Sequence, residues 1–187
     1  MFVVAHNGAR IWGGAERATA LLLAGLQGRG HRVLLLCNAE LVARHAEELG
    51  VPTRICRLGG AGMFPHAVRL AAVLRRLRPD AFIVGTFRKL FLAALGARLA
   101  GVPRVVQRIG LETDRPARGL RYRWALGHLV DAVVVNAEAM RAAFLAAAPR
   151  RDPARVLTLY HGPRVAPPSR AADEVRRELG IPPGAMV

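Results

Sequence analysis

Acidic residues are scarce in this 187-residue chain: 13 Asp and Glu stand against 28 Lys and Arg, a formal net charge of +15 at pH 7. Lysine is nearly absent, Lys89 being the only one. Aromatic residues make up 5%, with two Trp and two Tyr, too few for the stacking platforms of RNA and single-strand readers. The two cysteines, Cys37 and Cys56, exclude a disulfide scaffold, and no metal-ligand cluster surrounds them; both read as reduced core residues. Long apolar runs are missing too. ALLLAGL and the Arg98-interrupted LFLAALGARLAGV fall short of the roughly 18 residues a spanning helix needs. The N-terminus opens directly in an apolar run with no basic segment before it, so no secretory signal is expected.

What is present is an apolar fraction of 52%, that of a compact globular protein, on a length that suits one domain or one plus an extension. The arginine bias, with abundant Ala, Gly and Pro, is what a GC-rich genome gives. The net charge still implies anionic partners: nucleic acid, an anionic membrane or phosphorylated ligands.

Short apolar runs alternate with amphipathic stretches. Strands are expected at 2–5, 32–37, 53–57, 81–84, 104–107, 132–135 and 155–160. They lack polar alternation, as parallel strands buried on both faces do. Helices are expected at 15–26, 39–49, 65–77, 89–100, 118–129 and 137–148, the first with Ala15, Ala18, Leu22, Gly25 and Leu26 on one face. This rhythm predicts a Rossmann-like, doubly wound α/β fold: a parallel sheet with right-handed crossovers and helices on both faces. Ligands then belong at the carboxyl ends of the strands, near the topological switch point. After Tyr160 the Pro-rich HGPRVAPPSRAA and a short polar helix, ADEVRRELG, follow. The expected division is a domain over 1–165, with 166–187 as a linker and short helix leading towards a further domain.

The loop HNGARIWGGAERA lies between the first strand and the first helix, where backbone N–H groups and the helix dipole favour phosphate. It is not a P-loop, because Gly14 and Ala15 stand where lysine and a hydroxyl are needed. Nor is it a dinucleotide fingerprint: Gly13-Gly14 runs into Ala15-Glu16-Arg17, and the position of the acidic ribose ligand falls near Asn38. An NAD-dependent enzyme is thereby disfavoured.

GGAERATALLLAGLQGRGHRVLLLC resembles the opening of family 4 retaining glycosyltransferases of the GT-B fold, with Arg29-Gly30-His31-Arg32-Val33 as the turn into the second strand. RLRPDAFIVGT, LAGVPRVVQRIG, LVDAVVVNAEAMRAAF (with Asn136 and Glu138), VLTLYHGPR and RRELGIPPG are similar to later segments of that family, in order and over nearly the whole chain. The resemblance implies an N-terminal, acceptor-side half of a GT-B enzyme. Its activity would be transfer of a sugar, with retention, from a nucleotide-sugar to an acceptor hydroxyl in glycan or glycolipid synthesis. It implies no cofactor and no metal. It also implies a second domain carrying most nucleotide contacts, without which no turnover is expected.

By the same resemblance, Gly13 and Gly14 approach the donor diphosphate; the alternative is a turn whose glycines only permit helix–sheet packing. His6 and Asn7, just past the first strand, either bond acceptor hydroxyls or cap the loop. Thr86, Arg88 and Lys89, after the fourth strand, either meet an acceptor phosphate or form a solvated first turn. In QRIGLETD, Arg108 stands where many relatives have a histidine, and arginine is an anion clamp rather than a proton acceptor. Glu112 and Asp114 are the nearby carboxylates able to accept a hydroxyl proton, the candidate catalytic residues. His161 and Gly162, after the seventh strand, stand where relatives have Asn-Gly, and Arg164 stands where they have an acid.

Basic residues concentrate at Arg69, Arg75, Arg76 and Arg78, and again at Arg115, Arg118, Arg121 and Arg123 beside Tyr122 and Trp124. These either seat the protein on an anionic membrane, giving a cytoplasmic or peripheral inner-face location, or are ordinary solvated helix faces. The alternative function is a basic nucleic-acid-binding α/β module, although no helix-turn-helix spacing, zinc ligands or RNP-type aromatics support it, and no specific nucleic acid is expected.

Overall fold

The computed structural model describes residues 1–58, 63–85, 89–110, 120–162, 169–182 and 185–186. Its strands are β1 (Phe2–Asn7), β2 (Arg32–Cys37), β3 (Thr53–Ile55), β4 (Ala81–Val84), β5 (Arg104–Ile109), β6 (Ala132–Val135) and β7 (Val156–Thr158). Between them run α1 (Gly14–Gln27), α2 (Glu40–Glu48), α3 (Met63–Leu77), α4 (Leu90–Leu99), α5 (Leu120–His128) and α6 (Glu138–Ala147), with α7 (Ala172–Glu178) following β7. All sheet pairings are parallel, in the order β3-β2-β1-β4-β5-β6-β7. The order reverses between β1 and β4, which makes their carboxyl ends the topological switch point.

Successive strand residues face opposite sides, and each side has its own core. Val4, Leu36, Phe82, Val84, Val105 and Val133 pack with α3, α4 and α5 and with Phe144 of α6. Val3, Ala5, Val33, Leu35, Cys37, Ala81 and Ile83 pack with Ala20 and Leu23 of α1 and Val42, Ala43 and Ala46 of α2. Fully burying a side chain of this size contributes roughly 1.5–3 kcal/mol. Where α3 crosses α4, a Cβ at Gly96 would stand 2.9 Å from the Ala67 carbonyl oxygen and 3.1 Å from a methyl of Leu70. Only glycine permits that approach.

Three local outcomes differ from the periodicity. The inward stripe of α1 is Thr19, Ala20 and Leu23, while Gly25 is exposed. ATALLLAGL is apolar on several faces, so the sheet and α2, rather than the pattern, select which one is covered. β1 runs to Asn7 and β5 to Ile109, because pairing continues through His6↔Leu36, Asn7↔Cys37, Arg108↔Val134 and Ile109↔Val135. β3 stops at Ile55 and β7 at Thr158, each two residues short of the expected end. Both cysteines are free: Cys37 is buried and Cys56 half-buried. Burial pushes the Cys37 thiol up to about 12, with Glu47 adding to the shift, so it stays a thiol.

Candidate functional site

The parallel strands place the carboxyl ends of β1, β4, β5, β6 and β7 along one edge of the sheet. Helix α1 begins there, capped by Gly13 in extended backbone (φ −143°, ψ −169°) with no side-chain hydrogen bond at the cap. The Gly13 carbonyl accepts the Arg17 N–H at 3.0 Å, and Gly14 is exposed. The first amides of a helix have no intrahelical acceptor, so this terminus presents N–H donors and a partial positive charge. A Cβ at Gly13 would lie 3.1 Å from Glu16 Oε2, so a larger residue there would displace the Glu16 carboxylate.

Arg108 occupies the next position along this edge. The pleat sends Gln107 to the α5 side, where Tyr122 donates to its Oε1 at 3.0 Å, and Arg108 to the α1 side. Arg108 is 7% exposed. Its Nη1 donates to Thr19 Oγ1 at 3.0 Å, and that hydroxyl donates to the Ala15 carbonyl at 2.9 Å. Its Nη2 lies 2.6 Å from Nε2 of His161, three residues past β7. Burial lowers the Arg108 pKa, and the Glu16 charge works against that shift. The guanidinium stays protonated, since its ordinary value is so high.

Lys89, at the entry to α4, donates to the Leu58 carbonyl. Its pKa is lowered by burial and by the neighbouring charge of Arg10. Among the described residues, no carboxylate lies within 4.0 Å of the Arg10, Lys89 or Arg108 cations. Three cations without ion pairs and an uncapped helix N-terminus therefore share one edge, an arrangement complementary to an anion. Among the described residues no three His, Cys, Asp or Glu side chains gather as a metal site.

Other expected residues sit differently. His6 has no exposed surface. It lies within β1, where the pleat turns it to the α3–α4 face. Its Nε2 is 3.3 Å from Asn38 Oδ1, and its Nδ1 is buried with no hydrogen-bond partner among the described residues. Burial lowers its pKa to about 4 against smaller raising effects of the Cys56 backbone and Asn38, so the ring is neutral at pH 7. Asn7 is 4% exposed, and its Oδ1 accepts the Ala9 N–H at 2.8 Å, shaping the loop. Gly162 is exposed beside His161. Thr86, Arg88, Glu112, Asp114, Arg115, Arg118 and Arg164 lie outside the described residues.

Sequence reasoning gave no site role to Arg10, Thr19 or Asn38, and of these Asn38 makes the most hydrogen bonds. Its Oδ1 accepts the Leu58 N–H at 2.8 Å, and its Nδ2 donates to Leu58 O at 3.0 Å and to Gly8 O at 3.3 Å. It thereby fixes the loop after β1 to the segment after β3. The available signal was a lone amide directly after the apolar run RVLLLC, where a strand end needs hydrogen-bonding partners. Asn136 does similar work after β6, donating to Gly110 O at 3.2 Å.

Architecture and site together define a doubly wound Rossmann-like domain whose switch-point edge carries the α1 N-terminus, Arg10, Lys89 and Arg108. The sequence model of the Glycosyl transferase 4-like domain family matches residues 13–160, and the chain belongs to that family. No curated protein matches it. Among solved structures, it is similar to Anabaena Alr3699/HepE in complex with UDP-glucose, with 16% identity, TM-score 0.73, and coverage of 96% of this chain and 50% of that one. A glycosyltransferase from Rickettsia africae gives 10% identity, TM-score 0.74, and coverage of 98% and 50%. The UDP-GlcNAc 2-epimerase from Methanocaldococcus jannaschii gives 17%, TM-score 0.58, and coverage of 84% and 45%. The chain thus spans about half the length of the solved structures it matches, and at these identities the likeness is one of fold.

Proposed function

We propose that this domain is the acceptor-side half of a retaining glycosyltransferase, which moves a sugar from a nucleotide-sugar to a hydroxyl of a glycan or lipid-linked acceptor. The observation that carries the reading is the carboxyl edge, which holds the uncapped α1 terminus, Arg10, Lys89 and Arg108 without ion pairs among the described residues. Family membership and the UDP-glucose held by the Anabaena relative point the same way.

In this reading the Gly13 and Gly14 amides approach the donor diphosphate, and small residues let the backbone come close. A developing diphosphate charge is stabilised by fixed N–H groups and by Arg108, which are already oriented and need no reorganisation during the reaction. No metal is needed for that role. Glu112 or Asp114 accepts the proton of the attacking hydroxyl. A second domain, reached through 166–187, holds the rest of the nucleotide, so the 187-residue chain by itself binds donor weakly and does not turn over.

The test is an assay of the 187-residue chain with UDP-glucose and other nucleotide-sugars, with and without EDTA. No transfer is expected. A clear transfer rate from this chain with no other protein present would overturn the half-site reading.

We also propose that the α4–α5 face contacts an anionic membrane. Phe91, Leu120, Arg121, Arg123 and Trp124 line an open groove of ≈ 590 Å³, in which Leu120 is 82% and Trp124 49% exposed. Apolar and cationic side chains side by side suit a headgroup–acyl boundary. No helix of the described residues is long and apolar enough to cross a membrane.

A further inference from the structure

The contact between Arg108 and His161 fixes more than a distance. At 2.6 Å, Arg108 Nη2 and His161 Nε2 are hydrogen-bonded, and one of the two must supply a lone pair. A guanidinium has five N–H groups and no acceptor, so the lone pair belongs to His161 Nε2. A histidine accepting at Nε2 is neutral and carries its proton on Nδ1.

We infer that Arg108 is a positioning residue that locks His161 as a neutral imidazole in the Nδ1–H tautomer, presenting a hydrogen-bond donor at the carboxyl edge. Arg108 can do this because it is itself fixed. Thr19 Oγ1 accepts from its Nη1, and that hydroxyl is held in turn by the Ala15 carbonyl in the first turn of α1. The lock therefore joins three separate parts of the edge: α1, the end of β5 and the segment after β7.

The charges support the same state. Burial lowers the His161 pKa, and Arg108 lowers it further. Among the described residues the charge acting on the ring is Arg108 from β5, and Glu16 of α1 acts in turn on that guanidinium. Among the described residues, His161 Nδ1 has no hydrogen-bond partner, so its N–H is available to a ligand. A neutral donor beside a cation can bond a sugar hydroxyl or a phosphate oxygen without adding a second full charge. That ligand role rests on the sugar-transfer reading; the tautomer itself does not.

The test is ¹⁵N NMR of the histidine rings in the 187-residue chain from pH 5 to 8, with His161→Asn identifying the resonances of that ring. The expected result is a neutral ring at pH 7, protonated at Nδ1 and bare at Nε2, with a titration midpoint below the ordinary histidine value of about 6.5. In Arg108→Gln the midpoint should rise and the Nε2–H form should appear. Arg108→Lys should keep a low midpoint but loosen the tautomer, because an ammonium lacks the planar fork. An Nε2–H ring or an imidazolium at pH 7 in the native chain overturns the inference. So does a native-like tautomer and midpoint in folded Arg108→Gln. The native spectrum decides the tautomer even where a variant fails to fold.

Discussion

Asn38 and Leu58 form a reciprocal pair: the Asn38 amide accepts the Leu58 N–H at 2.8 Å and donates to the Leu58 carbonyl at 3.0 Å. The side chain thus extends β-type pairing past the end of β3 and anchors the buried Leu58. Asn38→Ala leaves both backbone groups of Leu58 without these partners. The expected loss is about 2 kcal/mol in denaturant unfolding, with Asn38→Asp also destabilising because it cannot donate. A change under a few tenths of a kcal/mol would mean that water replaces the pair freely.

Gly96 sets the α3–α4 crossing. A Cβ there would approach the Ala67 carbonyl to 2.9 Å, so Gly96→Ala must push the helices apart despite alanine's better helix propensity. Overpacking of this kind costs roughly 1–3 kcal/mol. Thermal unfolding of Gly96→Ala at or above the native midpoint would contradict this close packing.

His6 gives the fold a pH dependence. Its pKa falls from 6.5 to about 4 on folding. Between those values the unfolded chain binds a proton that the folded chain refuses, so stability falls as pH drops through that window. The loss is on the order of 3 kcal/mol, present in full below the folded value. His6→Leu should flatten the stability profile between pH 6.5 and 4 relative to the native chain, and parallel profiles would rule out the buried neutral ring.

The α4–α5 groove should respond to lipid charge. Trp124 emission is expected to shift to the blue on vesicles containing phosphatidylglycerol and to stay unchanged on phosphatidylcholine alone, with salt weakening the effect. Arg121→Glu with Arg123→Glu should abolish the shift. Equal responses to both vesicle types would show that the face does not read anionic lipid.

The doubly wound sheet was legible because most strands are short apolar runs, often bounded by Gly, Pro or a charge, as in Ala81–Val84 between Asp80 and Gly85. Gly30 was legible as the end of α1: it has φ +81°, and His31 N–H returns to Leu26 O at 3.1 Å. Strand ends were less so. His6 and Arg108 read as loop residues because they are polar, yet pairing with Leu36 and Val134 carries them into the sheet. Polarity predicts exposure only where no buried partner exists, and Asn38, His161 and Thr19 supply partners 32, 53 and 89 positions away along the sequence. The 89-position separation of Arg108 from Thr19 and the 53 from His161 have no periodic signature. The positive edge was foreseeable as net charge, but its placement needed the fold.

The most direct measurement is a titration of UDP into the ¹⁵N-labelled 187-residue chain, following backbone amides and the arginine side chains. Weak, saturable binding on the order of 1 mM is expected, with shifts confined to Gly13, Gly14, Ala15, Glu16 and the Arg108 side chain. The shifts should be lost in Gly14→Asp, which sets a negative charge at the helix terminus. Saturation with no change at those five residues, or with shifts centred on the α4–α5 groove, would contradict a carboxyl edge built to receive a nucleotide diphosphate.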